Sequence, residues 1–264
     1  MAGKGTRLRP FTLTCPKPLI NVLDKPIVEH LIDQITSKVK SNIDEIVYIL
    51  GDESYFNDEV VNSLNIISEK YKAKTKIYRQ LEQLGTGHAI MCAEESLSGP
   101  SIIAYADTMI QGNIEIDTKV DGIIWVKKVD NPSAYGVVNL DNENKIIELI
   151  EKPAEFISDL AVVGIYYFKE AANLRGYLRK HLSEKLSPGE EYLLNYGIEK
   201  MIKNGDSFVP KEIDVWMDCG TPELLLNSTK IIMDTYHNNF GQNRVFDKEV
   251  ICLLYTSPSP RDKR

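Results

Sequence analysis

The sequence predicts an α/β fold: a Rossmann-like, doubly wound arrangement built on a mixed sheet. Up to Asp107, short apolar runs alternate with longer amphipathic stretches, which is typical of parallel strands connected by helices. In residues 122–168, apolar runs follow one another with only turns between them, which predicts antiparallel pairing. A chain of 264 residues is long enough to bury one large core.

The first half is predicted to contain three helices and three strands. Residues 26–40 are expected to form the first helix, because Pro26 suits a helix start and Ile27, Leu31 and Ile35 share one face. Further helices are expected at residues 54–70 and 86–95. The strands are expected at Glu45–Leu50, Lys74–Arg79 and residues 101–106.

The second half is predicted to add four strands and two helices. The strands are expected at residues 122–129, Gly136–Leu140, 145–151 and 161–168. Helices at residues 190–203 and 222–236 would close the domain. No repeat or linker is visible, so we take residues 1–240 as one domain and residues 241–264 as a tail.

Both ends of the chain are unusual for such a fold. A doubly wound sheet needs a buried strand immediately before its glycine-rich loop, so we expect the N-terminal strand to be missing. Residues 252–264 have no periodicity and two Ser-Pro pairs, and they resemble a translated sequencing adapter. We expect this stretch to be non-native; the alternative is a disordered native tail.

Composition excludes several classes of protein. The chain is 43% hydrophobic and 26% charged, which is ordinary for a soluble globular protein. Its longest apolar run, Leu160 to Phe168, is too short to span a bilayer, and no signal peptide is visible. The four cysteines are scattered and read as reduced thiols, so we expect a cytoplasmic protein.

The N-terminal loop indicates a site for a small polyanion. The chain has a net charge of −7, yet the loop combines Gly3, Gly5 and Thr6 with cations that include Arg7 and Lys17. Glycines let backbone N–H groups approach phosphate oxygens, and a nucleic-acid binder would be basic more widely. The spacing matches neither the dinucleotide fingerprint nor the Walker A loop, so a surface turn with solvated cations remains the alternative.

The string GKGTRLRPFTLTCPKPLINVLDKPIVEHLI resembles the signature of the sugar-phosphate nucleotidyltransferases, which join a nucleoside triphosphate to a sugar 1-phosphate. The family pattern is G-x-G-T-R-L-x-P-x-T, then P-K-P-L, then K-P-[ILMV]. The resemblance implies the nucleotide-diphospho-sugar transferase type of fold. It implies that Gly3, Gly5 and Thr6 bind the nucleotide, and that Arg7 and Lys17 act in catalysis by neutralising the reacting phosphates.

Two carboxylates are the candidate metal ligands. Asp107 ends an apolar strand, where open α/β sheets place ligands, and corresponds to the aspartate of the family's Gly-Asp. Asp218 lies in W-M-D-C-G-T-P-E, which resembles the family's W-x-D-x-G-T-P-E. The resemblance implies that both hold Mg²⁺, a cation that prefers carboxylate and phosphate oxygens. Without the family resemblance, Asp107 would be interpreted as a turn residue and Asp218 as part of a helix N-cap region.

Three further segments match family elements. Gln80 and Gly85 have the spacing of the base-reading segment, and a glutamine amide can pair with a pyrimidine edge. Gly136, Glu151 and Lys152 correspond to the sugar-phosphate site, where the lysine holds the phosphate and the glutamate a sugar hydroxyl. Two positions depart from the pattern: Val163 replaces a polar residue, and Tyr196 replaces the usual aspartate.

The resemblance implies an enzyme that makes a nucleotide-sugar and pyrophosphate. We expect dTTP and glucose 1-phosphate as substrates, with UTP as the next choice of nucleotide. A phosphocholine cytidylyltransferase is a more distant alternative for the activity. The alternatives are a non-catalytic nucleotide-sugar sensor and an inactive fragment. We expect no nucleic-acid or membrane partner, and the sequence leaves homo-oligomerisation open.

Overall fold

The computed structural model describes residue 3 and residues 5–39, 42–112 and 114–240. These residues form six α-helices: α1 Ile27–Thr36, α2 Asp58–Lys70, α3 Thr86–Met91, α4 Ala171–Leu182, α5 Leu194–Lys203 and α6 Pro222–Phe240. The strands of the first half are β1 Asn21–Val22, β2 Lys25–Pro26, β3 Glu45–Leu50, β4 Lys74–Arg79, β5 Ser101–Ala104 and β6 Thr108–Gln111. Those of the second half are β7 Gly122–Lys128, β8 Gly136–Leu140, β9 Ile146–Glu151, β10 Leu160–Phe168, β11 Phe208–Glu212 and β12 Val215–Asp218.

The main sheet has six strands and is mixed, as expected. Its order is β11-β7-β10-β8-β9, with β5 also paired to β10. β10 runs antiparallel to β7 on one edge and antiparallel to β5 and β8 on the other, whereas β11 is parallel to β7. β7 and β10 are almost fully buried because helices cover the sheet, which explains their continuous apolar sequences.

A separate pair of parallel strands, β3 and β4, lies on the other side of helix α1. Val28 and Ile32 of α1 pack in the apolar cluster that contains β3, while Leu31 and Ile35 pack in the cluster that contains β5. Among the described residues, β3 pairs only with β4 and β5 only with β10. Each of these two strands therefore keeps one edge without a strand partner.

Several boundaries differ from the predicted ones for local reasons. The helix expected at residues 54–70 begins at Asp58, because Asn57 caps it by accepting a hydrogen bond from the Val60 amide at 3.2 Å. The helix expected at residues 190–203 begins at Leu194, since the preceding loop pairs with residues 84–87 instead. The sequence did not lead us to expect α4, β6, β11 or β12. The predicted tail at residues 241–264 lies outside the described residues.

Candidate functional site

The glycine-rich loop has a fixed conformation around Gly5. Gly5 has a φ of 58°, and its carbonyl accepts hydrogen bonds from the Leu8 amide at 2.9 Å and the Thr12 hydroxyl at 2.8 Å. A Cβ at Gly5 would lie 3.0 Å from Thr12 Cγ2 and 3.3 Å from Lys17 Cβ. Glycine is therefore required both by the left-handed backbone and by the close approach of the Lys17 segment.

The remaining predicted residues of this loop face outward. Gly3, Thr6 and Arg7 are exposed, and Arg7 forms no ion pair with any residue that the structure describes. The hydroxyl of Tyr55 donates a hydrogen bond to the Thr12 carbonyl at 2.6 Å, which ties the loop to the segment before α2. The loop is thus anchored from within while its cationic side remains open to a ligand.

Lys17 connects this loop to the first predicted metal ligand. Its side chain is 11% exposed, and its Nζ lies 2.7 Å from Oδ2 of Asp107. Burying an ammonium group is costly unless it is paired, so this carboxylate compensates the charge. The contact joins two residues that are 90 positions apart in the sequence, both selected from the family pattern.

Asp218 is adjacent to Asp107 because β6 and β12 pair antiparallel. Asp218 lies opposite Thr108 in the register, and the Cys219 amide donates to the Asp107 carbonyl at 3.1 Å. One oxygen of Asp218, Oδ1, accepts from the Gly220 amide at 2.7 Å. Burial raises the pKa of the Cys219 thiol to about 11, so this thiol between the two aspartates is protonated at neutral pH.

The donor set at Asp107 and Asp218 fits Mg²⁺ better than a metal with a full protein cage. Within the described part of the chain, no group of three or more His, Cys, Asp or Glu side chains could hold a metal ion. Magnesium commonly takes only one or two carboxylates and completes its shell with water and substrate phosphates. Asp107 and Asp218 lie at adjacent ends of β6 and β12, next to the residue pair that joins them to the glycine-rich loop, and they match that requirement in number and kind.

Gln80 and Gly85 are in direct contact. The Gln80 side chain is buried, and its Nε2 donates to the Gly85 carbonyl at 3.1 Å and lies 3.0 Å from Nδ1 of His88. Gly85 has a φ of 114° at the entrance to α3. The two predicted base-reading groups thus form one unit, in which the amide nitrogen of Gln80 holds the turn.

Gly136, Glu151 and Lys152 come together on the β8–β9 hairpin. Gly136 lies opposite Glu151 in the register, and a Cβ at Gly136 would lie 3.0 Å from Oε2 of Glu151. Asn195 of α5 donates to the same oxygen at 3.4 Å. Lys152 is exposed with a φ of 46°, and its amide donates to the Tyr135 carbonyl at 3.0 Å.

Tyr105, which no family motif marked, interacts with Thr86, Glu151 and Asp107, one residue from each of the three candidate segments. Burial raises the pKa of its hydroxyl, the carboxylates of Glu151 and Asp107 raise it further, and hydrogen bonds with Thr86 and Tyr166 oppose the shift. The hydroxyl therefore stays neutral at physiological pH. Its position two residues before Asp107 is the feature by which the sequence could have indicated Tyr105. Nothing in the sequence marked the roles of His88, Tyr55 or Asn195.

The chain is similar to known proteins along most of its length. The family model described as Nucleotidyl transferase matches residues 1–235. The bifunctional protein GlmU of Methanococcus maripaludis is 32% identical over 251 residues, which are 94% of this chain and 54% of that protein. This chain therefore spans about half the length of that relative. The UTP–glucose-1-phosphate uridylyltransferase AglF of Haloferax volcanii is 30% identical over 232 residues, covering 84% of this chain and 90% of AglF.

Solved structures share the fold at lower identity. A nucleoside-diphosphate-sugar pyrophosphorylase from Vibrio cholerae is 18% identical with a TM-score of 0.73, covering 87% of this chain and 98% of that one. A UDP-glucose pyrophosphorylase complexed with UDP-glucose is 21% identical with a TM-score of 0.70, covering 89% of this chain and 96% of that one. None of the helices in the described residues could cross a membrane. The chain belongs to the nucleotidyl transferase family and has the α/β fold of the nucleotide-diphospho-sugar transferases.

Proposed function

We propose that this chain transfers a uridylyl group from UTP to glucose 1-phosphate, giving UDP-glucose and pyrophosphate. The observation that carries the proposal is the contact between Lys17 and Asp107, beside Asp218 and the Gly5 loop. A buried cation and two aspartates beside the loop are the groups that a triphosphate with a bound metal ion would need, and this supports the proposal. AglF, named for UTP and glucose 1-phosphate, matches 84% of this chain over 90% of its own length and supports this nucleotide. The dTTP expected from the sequence is the second candidate.

The reaction needs alignment and charge neutralisation more than a nucleophilic side chain. A sugar 1-phosphate oxygen attacks the α-phosphorus in line, and pyrophosphate leaves with the electron pair of the broken P–O bond. Lys17 and Arg7 would neutralise the phosphates, and Lys152 with Glu151 would orient the sugar phosphate. Mg²⁺ held by Asp107 and Asp218 would offset the charge that develops on the phosphate oxygens.

The test is a pyrophosphate-release screen of UTP, dTTP, CTP, ATP and GTP against several sugar 1-phosphates. We expect the fastest release with UTP and glucose 1-phosphate, with UDP-glucose as the second product. Fastest release with dTTP would replace the nucleotide and keep the reaction. Binding of a nucleotide-sugar without any pyrophosphate release would favour the non-catalytic sensor and contradict the proposal.

A further inference from the structure

The loop between α4 and α5 forms main-chain hydrogen bonds with the base-reading segment. The Tyr192 amide donates to the Leu84 carbonyl at 2.8 Å, and the Gly87 amide donates to the Tyr192 carbonyl at 2.7 Å. The Leu194 amide donates to Oγ1 of Thr86 at 3.0 Å. The conformation of residues 84–87, which Gln80 also contacts, thus depends on where Tyr192 is held.

The two segments are too close for any side chain between them. A Cβ at Gly85 would lie 2.6 Å from the Tyr192 carbonyl oxygen, and a Cβ at Gly87 would lie 2.9 Å from the carbonyl oxygens of Tyr192 and Leu193. Backbone atoms cannot move aside as flexible side chains can. A displacement of Tyr192 would therefore be transmitted directly to residues 84–87.

Four side chains, His181, Glu184, Tyr192 and Tyr196, fix this loop from the other side, and we call them the His181 cluster. The buried His181 ring stacks on Tyr196 at 3.7 Å between centroids and meets the edge of Tyr192 at 5.1 Å. Glu184 lies 3.0 Å from His181 Nδ1 through Oε2, and its Oε1 accepts from the Tyr196 hydroxyl at 3.1 Å. Its carbonyl accepts from the Tyr192 hydroxyl at 2.9 Å.

We propose that the His181 cluster positions residues 84–87 for the nucleotide, so that its side chains set nucleoside triphosphate affinity without contacting the reacting atoms. The inference rests on the proposed function for the identity of the ligand. Tyr196 stands where the family pattern has aspartate, so its hydroxyl contact with Glu184 differs from that pattern. The cluster thus acts on nucleotide affinity from outside the nucleotide-binding segments themselves.

The experiment compares Tyr196→Phe and Glu184→Gln with the control Tyr177→Phe. Tyr177 lies on α4 and contacts Asn204 just after α5, so the control removes a tyrosine hydroxyl from the same helix pair away from the cluster. Two readouts are needed: amide hydrogen exchange at Gly87 and Tyr192, and KM for UTP and for glucose 1-phosphate. The exchange readout does not depend on activity.

We expect faster exchange at both amides in the two cluster variants and a KM for UTP raised about three- to tenfold, the effect of one hydrogen bond. The KM for glucose 1-phosphate, kcat and the control should stay close to the unmodified protein. Exchange no faster than in the control would overturn the positioning role. Faster exchange would overturn the link to the nucleotide if both KM values rose equally, or if neither KM value rose. If the unmodified protein releases no pyrophosphate, the proposed function fails while exchange still decides the positioning.

Discussion

Lys17 and Lys25 lie in the same cationic stretch but in different surroundings. Lys17 is buried against Asp107, whereas Lys25 is about one-third exposed and pairs with Asp33 of α1 at 2.7 Å. We expect Lys17→Ala to lower kcat/KM about a hundredfold, the usual effect of losing one preorganised charge contact. Lys25→Ala should leave turnover near normal and cost less than about 1 kcal/mol of stability. If Lys17→Ala and Lys25→Ala both changed kcat/KM equally little, Lys17 would have no role in catalysis.

The two carboxylates give a second prediction at the residue scale. Asp107→Asn and Asp218→Asn keep the side-chain volume and remove one charge each, so each should lower activity about a hundredfold at limiting Mg²⁺. Asp214→Asn is the matched control, because Asp214 is exposed just before β12. The measurement is initial rate against Mg²⁺ concentration. Near-normal turnover in either variant at limiting Mg²⁺ would remove that residue from the metal site.

Gln80 tests the nucleotide side of the site. Gln80→Ala removes the amide that holds the Gly85 turn and leaves a pyrimidine edge unpaired, at about 1–3 kcal/mol. The loss of kcat/KM should be larger with UTP and dTTP than with purine nucleotides. Gln83→Ala, an exposed glutamine of the same segment, serves as control. An equal loss with every base would show that Gln80 does not read the base.

Within single helices, we expect Gly→Ala substitutions in α3 and in α4 to have opposite effects on stability. A Cβ at Gly87 would collide with two backbone carbonyls, while a Cβ at Gly176 of α4 has nothing within 4 Å. Gly87→Ala should therefore destabilise the protein by about 1–3 kcal/mol. Gly176→Ala should be neutral or stabilise it by up to about 1 kcal/mol, since alanine favours a helix. Urea unfolding measures both, and an unchanged midpoint for Gly87→Ala would contradict the close approach of the two segments.

Elements defined by local sequence were predictable, and those defined by distant partners were not. The bounds of β3, β4 and β8 are confirmed, because short stretches with β-branched or aromatic residues between turn and loop residues determine them. The start of α5 was wrong by four residues because the preceding loop pairs with residues 84–87. Strands β6 and β12 are short and acquire their structure from each other, about a hundred positions apart.

The same distinction applies to the candidate site. Its candidate residues were selected because family motifs mark them in the sequence. Their connections were not, because no local pattern encodes the contact of Lys17 with Asp107 or the position of Tyr105 among Thr86, Glu151 and Asp107. Sequence motifs thus supplied the candidate side chains, while the tertiary structure was needed to show which contacts they form.

For the molecule as a whole, β3 and β5 each have one edge without a strand partner among the described residues, and these edges bear on the expected N-terminal strand. Ile46, Ile49, Ile102 and Ile103 on these strands are only partly buried, although α1 packs across both. We predict that fusing an apolar strand of about six residues ahead of Met1 raises the thermal unfolding midpoint, because it would bury these side chains and pair both edges. Removing residues 252–264 should change the midpoint little. An equally high, cooperative midpoint without the added strand would show that the strand is dispensable.

Pyrophosphate release from UTP and glucose 1-phosphate by the folded protein, measured with and without Mg²⁺, decides whether this chain is a uridylyltransferase. The proposed function predicts one pyrophosphate for each UDP-glucose formed, a rate that requires the divalent cation, and a rate that falls strongly in Lys17→Ala but not in Lys25→Ala. Folded protein that releases no pyrophosphate from any tested nucleotide and sugar 1-phosphate would contradict it.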